Sequence, residues 1–191
     1  MTTRKTLLTA EDVAAMPERI NGHRYELHRG EVVEMAAANF VHGYFMLRIG
    51  ELLSRFVYAH SLGAVIGGDP GITTERNPDT VLAPDVAYFS TSRMPRPIPR
   101  RGFTEAIPDL VAEVASPDDR AGAIERKTQR WLAAGARIVW NVYPDCRTVE
   151  AAYADGGRRI YKEGEMLDAE PLLPGFTVAV DELFDLPFEA E

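Results

Sequence analysis

Apolar residues recur at steps of three or four at Val41, Phe45, Ile49, Leu52 and Phe56, which predicts an amphipathic helix over residues 40–60. Upstream, HRYELHRGEVVEM alternates on either side of Arg29-Gly30 and predicts a β-hairpin. Thr9 with Asp12 three residues later resembles a capping box, Asp replacing the usual Glu or Gln, and starts a short helix ending near Pro17. LGAVIGG and ITTE read as short strands. DTVLAPDVAYF reads as one strand that bends, or lies at an edge, near Pro84. DLVAEVA has the apolar run of a buried strand, and Ala121 to Ala134 has a helical pattern closed by Gly135. RIVWNVY and RTVEAAYA are two further strands about a turn at Pro144-Asp145. The tail holds a Gly-Gly turn, RRIYKEG, a turn near Gly164 and LPGFTVAVDELF.

Strands outnumber helices, and one helix joins the segments 109–115 and 137–143. A strand–helix–strand unit of this kind favours a parallel crossover, so the expected fold is one α/β domain over residues 1–191 built on a mixed sheet. The Pro- and Arg-rich stretch 90–107 is the one long loop, of a length that in compact domains is usually functional or disordered.

Composition narrows the function classes. A 46% hydrophobic share with 26% charged residues is ordinary for a globular protein, and no apolar run is long enough to span a bilayer. MTTRKTLLTAEDV has a basic start but no apolar core with a small-residue cleavage site, so a cytoplasmic location is expected. Cys146 is alone, which excludes an internal disulfide and a multi-cysteine zinc site. The net charge of −8 argues against loose, charge-driven coating of nucleic acid, but not against an enzyme with a local basic rim. Arg93, Arg96, Arg100 and Arg101 could form that rim, or could simply keep a solvated loop soluble.

Five Pro-Asp pairs occur, and only those ending in Asp85 and Asp109 lead directly into apolar strands, so the dipeptide alone does not choose between them. Glu113 is more informative, because it stands inside Leu110-Val111-Ala112-Glu113-Val114-Ala115. A carboxylate in a buried strand is costly unless paired or bound to a cation. Asp85 has similar apolar flanks, and acids on adjacent strands, about 4.8 Å apart, could share one hard cation. The alternative for each is a structural ion pair. Ile124, Lys127, Trp131 and Ala134 share one face of the following helix, whereas Arg126 and Arg130 fall on another that can reach water. Lys127 therefore occupies the inward stripe, either snorkelling to solvent or aimed at the acids. Glu26 alternates with Tyr25 and Leu27 in the hairpin, and His42 lies at the edge of the apolar face of the long helix, as a packed residue or a helper. His23, His28 and His60 have no metal-ligand spacing. No GxSxG elbow, P-loop or GxGxxG is present.

Taken in order, Tyr25-Glu26-Leu27, Arg29-Gly30-Glu31, His42-Gly43, Ala83-Pro84-Asp85-Val86, the run from Pro108 to Pro117 with Glu113, Lys127, Ala134-Gly135 and Leu173-Pro174-Gly175-Phe176 form a specific series. Over roughly residues 8–184 the chain resembles the Uma-two endonuclease family, a bacterial branch of the PD-(D/E)XK superfamily. The resemblance implies a restriction endonuclease-like core, a mixed sheet flanked by helices with an extra N-terminal hairpin, and a homodimer acting on nucleic acid, DNA foremost. It also implies a site using Mg²⁺ or Mn²⁺, with Asp85 and Glu113 as acidic ligands and the Val114 carbonyl completing the shell. Glu26 would match an acid from an early element, and His42 a helper. The superfamily lysine usually stands two places after the second acid, where this chain has Ala115; the resemblance moves that role to Lys127. Trp131, where the family tends to have Tyr, reads as packing. A nuclease fold kept for binding or assembly without catalysis is the rival reading.

Overall fold

The computed structural model describes residues 6–16, 24–35, 37–116 and 121–186. Pro17, His23 and the Pro117-Asp118 pair lie outside them. The short first helix, α1 (Ala10–Ala14), opens on Thr9, whose hydroxyl accepts from the Asp12 N–H while the Asp12 carboxylate accepts from the Thr9 N–H. The predicted reciprocal cap is thus present, with Asp in the place of Glu. Strands β1 (Arg24–His28) and β2 (Glu31–Met35) form the expected hairpin. Arg29 and Gly30 both have positive φ, 51° and 81°, the geometry of a two-residue turn that matches strand twist.

The long helix α2 (Phe40–Ala59) is capped by Asn39, whose side chain accepts from the His42 N–H. It buries Phe45, Ile49, Leu52, Leu53 and Val57. Val41, expected on the apolar face, is 37% exposed, and His42 is the buried residue of the first turn. After α2 come β3 (Gly63–Gly67), β4 (Ile72–Glu75), β5 (Thr80–Leu82) and β6 (Val86–Ser90). DTVLAPDVAYF is therefore two strands and not one bent strand. Strand β5 pairs with β1 and β4, whereas β6 pairs with β3 and with β7 (Leu110–Val114). Pro84 has no N–H to give a ladder, and the chain leaves one sheet for another there.

The helix α3 (Ala121–Ala134) ends at Gly135, with φ of 112°, and leads into β8 (Ile138–Tyr143). Strands β7 and β8 are parallel; the other pairings are antiparallel, so the main sheet is mixed as expected. With β9 (Thr148–Tyr153) and β10 (Arg158–Tyr161) its order is β10-β9-β8-β7-β6-β3. A second sheet runs β2-β1-β5-β4, and a small ribbon pairs β11 (Met166–Asp168), which the sequence reading passed over, with β12 (Thr177–Ala179) ahead of α4 (Val180–Leu183).

Alternation along the strands divides the core. Val86, Tyr88, Leu110, Ala112, Val114, Ile138, Trp140 and Val142 pack with α2 and the C-terminal elements. Ala87, Phe89, Val111 and Val139 pack with Trp131 of α3. Glu113, two places from Val111, takes the α3 side. No helix among the described residues is long and apolar enough to cross a membrane.

Leu53 is fully buried where α2 meets the sheet. Leu53→Ala is expected to lower stability by about 2–5 kcal/mol through lost transfer energy and a cavity. Urea unfolding should register this as a lower midpoint with an unchanged slope.

Candidate active site

Four elements converge on one point through three carboxylates and an ammonium. The register Val86↔Ala112, continued one step, sets Asp85 level with Glu113 across the β6–β7 pair. Past the strand end the ladder bond is replaced by a side chain: the Val114 N–H donates to Asp85 Oδ2 at 2.7 Å. His42 Nε2 lies 3.2 Å from the same oxygen, brought there by the first turn of α2. Among the described residues, buried His42 Nδ1 has no hydrogen-bond partner.

Both oxygens of Glu113 are held from α3. The Trp131 indole N–H donates to Oε1 at 2.7 Å and the Lys127 ammonium to Oε2 at 2.9 Å. Trp131 is fully buried, so it packs as expected, but the sequence reading missed its second use as a donor to the central acid. Its i+4 spacing from Lys127 carried that signal.

The ammonium reaches two further acceptors, the Ala83 carbonyl at 2.9 Å and Glu26 Oε1 at 3.0 Å. All three of its protons have acceptors within the chain. The Ala83 N–H donates back to Glu26 Oε1 at 3.1 Å. Ala83 belongs to the short crossing between the sheets at Pro84, and leaving the ladder there frees its backbone for these bonds. Glu26 Oε2 is taken by His28 Nε2 at 2.8 Å, and His28 Nδ1 by Arg130 Nη1 at 2.9 Å. The sequence reading set His28 aside on metal-ligand spacing and sent Arg130 to water. Strand period 2 puts His28 beside Glu26, which is the signal that could have found it.

These side chains border a cleft of about 810 Å³ between the two sheets and α3, lined by Glu26, His42, Asp85, Glu113, Lys127 and Arg130 among others. Its size suits a small-molecule or polymer-segment site. Asp109 is elsewhere: fully buried, it accepts from the Ser90 N–H at 2.8 Å and pairs with Arg93 and Arg137. Arg93 also donates to the carbonyls of Pro108 and Gly135, so it braces the loop instead of joining a basic rim. Arg96, Arg100 and Arg101 are exposed.

Burial pushes the Glu113 carboxyl up to about 8; Lys127 pulls it down, while Asp85 and Glu26 add to the rise. Burial would raise Glu26 too, but the charge of Lys127, His28 and the Ala83 N–H hold it down to about 2. Asp85 is held below the ordinary range against burial by His42, Lys127 and the Val114 N–H. Burial disfavours the Lys127 ammonium, yet the three carboxylates around it raise its pKa.

The family model named Uma2, described as a putative restriction endonuclease, matches residues 10–181. Among solved structures, the chain resembles a putative nuclease belonging to DUF820 from Anabaena variabilis, with a TM-score of 0.77 at 17% identity. That match covers 93% of this chain and 97% of the other, and at such identity it establishes a shared fold. Comparison with functionally curated proteins gives no match.

Glu113 and Glu26 should act on stability with opposite pH dependence. Glu113, raised to about 8, favours the folded state at low pH, and that contribution is lost as pH rises from its ordinary value through 8. In metal-free buffer the stability difference between Glu113→Gln and the parent should therefore move in the variant's favour as pH rises from about 4.5 to 8, whatever its value at low pH. Glu26, lowered to about 2, stabilises above its ordinary value and loses this as pH falls through 2. Glu26→Gln should cost on the order of 3 kcal/mol at pH 7. Urea unfolding of the three proteins across pH checks both signs.

Proposed function

The chain belongs to the Uma2 family, and from that premise we propose that its cleft hydrolyses phosphodiester bonds, with DNA as the foremost substrate and Mg²⁺ or Mn²⁺ as the cofactor. The observation that carries this reading is the level placement of Asp85 and Glu113 beside Lys127 in one cleft. Asp85, Glu113 and the Val114 carbonyl would hold the ion. The donor set fits: it consists of hard oxygens, and among the described residues Asp85 Oδ1 has no hydrogen bond, while Oδ2 is fixed by the Val114 N–H. Among those residues no cluster of three or more His, Cys, Asp or Glu side chains suits a metal. Two carboxylates with several waters are an ordinary Mg²⁺ complement, whereas an all-protein cage is not. When bound, the ion would supply Lewis-acid polarisation of the phosphate and a more acidic water.

The chain's own groups do the rest. The Val114 N–H and His42 fix the Asp85 carboxylate, and the Trp131 indole fixes Glu113. Lys127 offers a positive charge beside the reacting phosphate, positions the attacking water and stabilises charge built up in the transition state. One such electrostatic partner is typically worth about 3–4 kcal/mol. Glu26, with both oxygens engaged, holds the ammonium against the pull of Glu113.

A single observation favours the rival reading, a nuclease fold kept for binding: every proton of Lys127 already has an acceptor in the chain. Calorimetric titration with Mn²⁺, with Asp85→Ala and Glu113→Ala as controls, separates the two. Saturable binding lost in both variants, with Mg²⁺-dependent cleavage of plasmid, single-stranded DNA or RNA, is the expected result. Lys127→Met should then bind Mn²⁺ yet cleave a few hundredfold more slowly, on the order of the loss of one electrostatic partner. A parent chain that binds no Mn²⁺ and cleaves none of the three, while both Ala variants unfold early, establishes the rival.

A further inference from the structure

Beyond the reacting centre, the ion-paired network runs outward to α3. Glu26 Oε2 receives His28 Nε2, and His28 Nδ1 receives Arg130 Nη1. A guanidinium has no acceptor, so Nδ1 is the unprotonated nitrogen and the ring proton stands on Nε2, facing the carboxylate. The imidazole thus holds one edge of Arg130 with its lone pair. The fork keeps further N–H donors for something else. Arg126 stands one turn before Arg130 and also lines the cleft; among the described residues it makes no hydrogen bond or ion pair.

Electrostatics gives this pair a purpose. The centre gathers three acidic side chains, Glu26 and Asp85 among them with lowered pKa, around one ammonium, so it offers a polyanion little attraction by itself. A bound strand extends past the scissile bond, and its flanking phosphates need cations on the cleft wall. The Arg126–Arg130 edge of α3 supplies them close to Lys127. Guanidinium suits a phosphate because its fork matches two oxygens at once, and less side-chain freedom is lost when the fork is already ordered.

We propose that Arg130, with Arg126 beside it, grips a backbone phosphate flanking the scissile one, and that His28 is a positioning residue that presents Arg130 to the strand. The proposal rests on the cleft being a nucleic-acid site.

The test measures binding apart from cleavage. Fluorescein-labelled DNA and RNA oligonucleotides, single-stranded and annealed, are titrated by anisotropy with Ca²⁺ in place of Mg²⁺ across a salt series. Arg130→Ala should weaken binding about tenfold or more and reduce the salt slope by about one, with Arg130→Lys recovering part of the loss. His28→Leu should weaken binding in the parent but add nothing to Arg130→Ala. His28→Gln, whose amide can both donate to Glu26 and accept from Arg130, should recover it. Thermal unfolding of each variant checks that the fold persists, and Arg130→Gln serves if Arg130→Ala unfolds. Binding within twofold of the parent in both Arg130→Ala and Arg130→Gln, or no oligonucleotide binding by the parent, overturns the proposal. A His28→Leu loss that persists in the Arg130→Ala background overturns the role of His28. Cleavage unaffected by Arg130 removes this inference alone, whereas Arg130-dependent binding without Mg²⁺-dependent cleavage removes the nuclease reading and keeps the phosphate contact.

Discussion

One buried ammonium holds the candidate site together. Lys127 on α3 bonds at once to a carboxylate of the main sheet, a carboxylate of the second sheet and a carbonyl of the chain between them. Each acid is nearly closed to water, with Glu26 at 2% and Glu113 at 9% exposure, so screening is weak and the attraction is strong. Removing one partner of such a cluster strands the remaining charges, and that penalty exceeds the net worth of the pair. The lysine thus ties together two sheets that share no ladder.

The backbone makes this convergence possible at Pro84. A strand running unbroken through residues 80–90 would have spent the N–H and C=O of Ala83 on a neighbour and carried Asp85 along one sheet. The proline ends the ladder, and the crossing turns those groups to Glu26 and Lys127. Asp85 then stands one residue before β6, where it accepts from the Val114 N–H. The same few residues serve as the hinge between sheets and as the floor of the cleft.

Much of this was legible in the chain. The capping box at Thr9, the two-residue turn at Arg29-Gly30, the long helix and the parallel crossover follow from local patterns that burial reinforces. Glu113 and Lys127 stood out because each breaks an apolar stripe. What could not be read is as instructive. The division of residues 80–90 between two sheets depends on partners distant in sequence, so a proline that bends a strand and one that ends it look alike. His28 and Arg130 carry ordinary polar patterns, and their contact spans a separation that no local period encodes. The helical spacing of Trp131 places it on the inward face as packing, which is correct for its ring and silent about its N–H. Arg93 sat among basic neighbours and was grouped with them, yet its carbonyl partners make it a brace.

The overall charge of −8 and a polyanionic substrate are compatible because the relevant field is local. Acids elsewhere on the surface are screened within about 8–10 Å at ordinary ionic strength, whereas groups lining a cleft act on a ligand inside it at short range. Within that cleft the balance is set by few groups. Three acids surround one ammonium, and burial with the charges of Asp85 and Glu26 disfavours ionised Glu113. A cation held by Asp85 and Glu113, as the proposed function would have it, would offset that repulsion and favour the ionised form of Glu113.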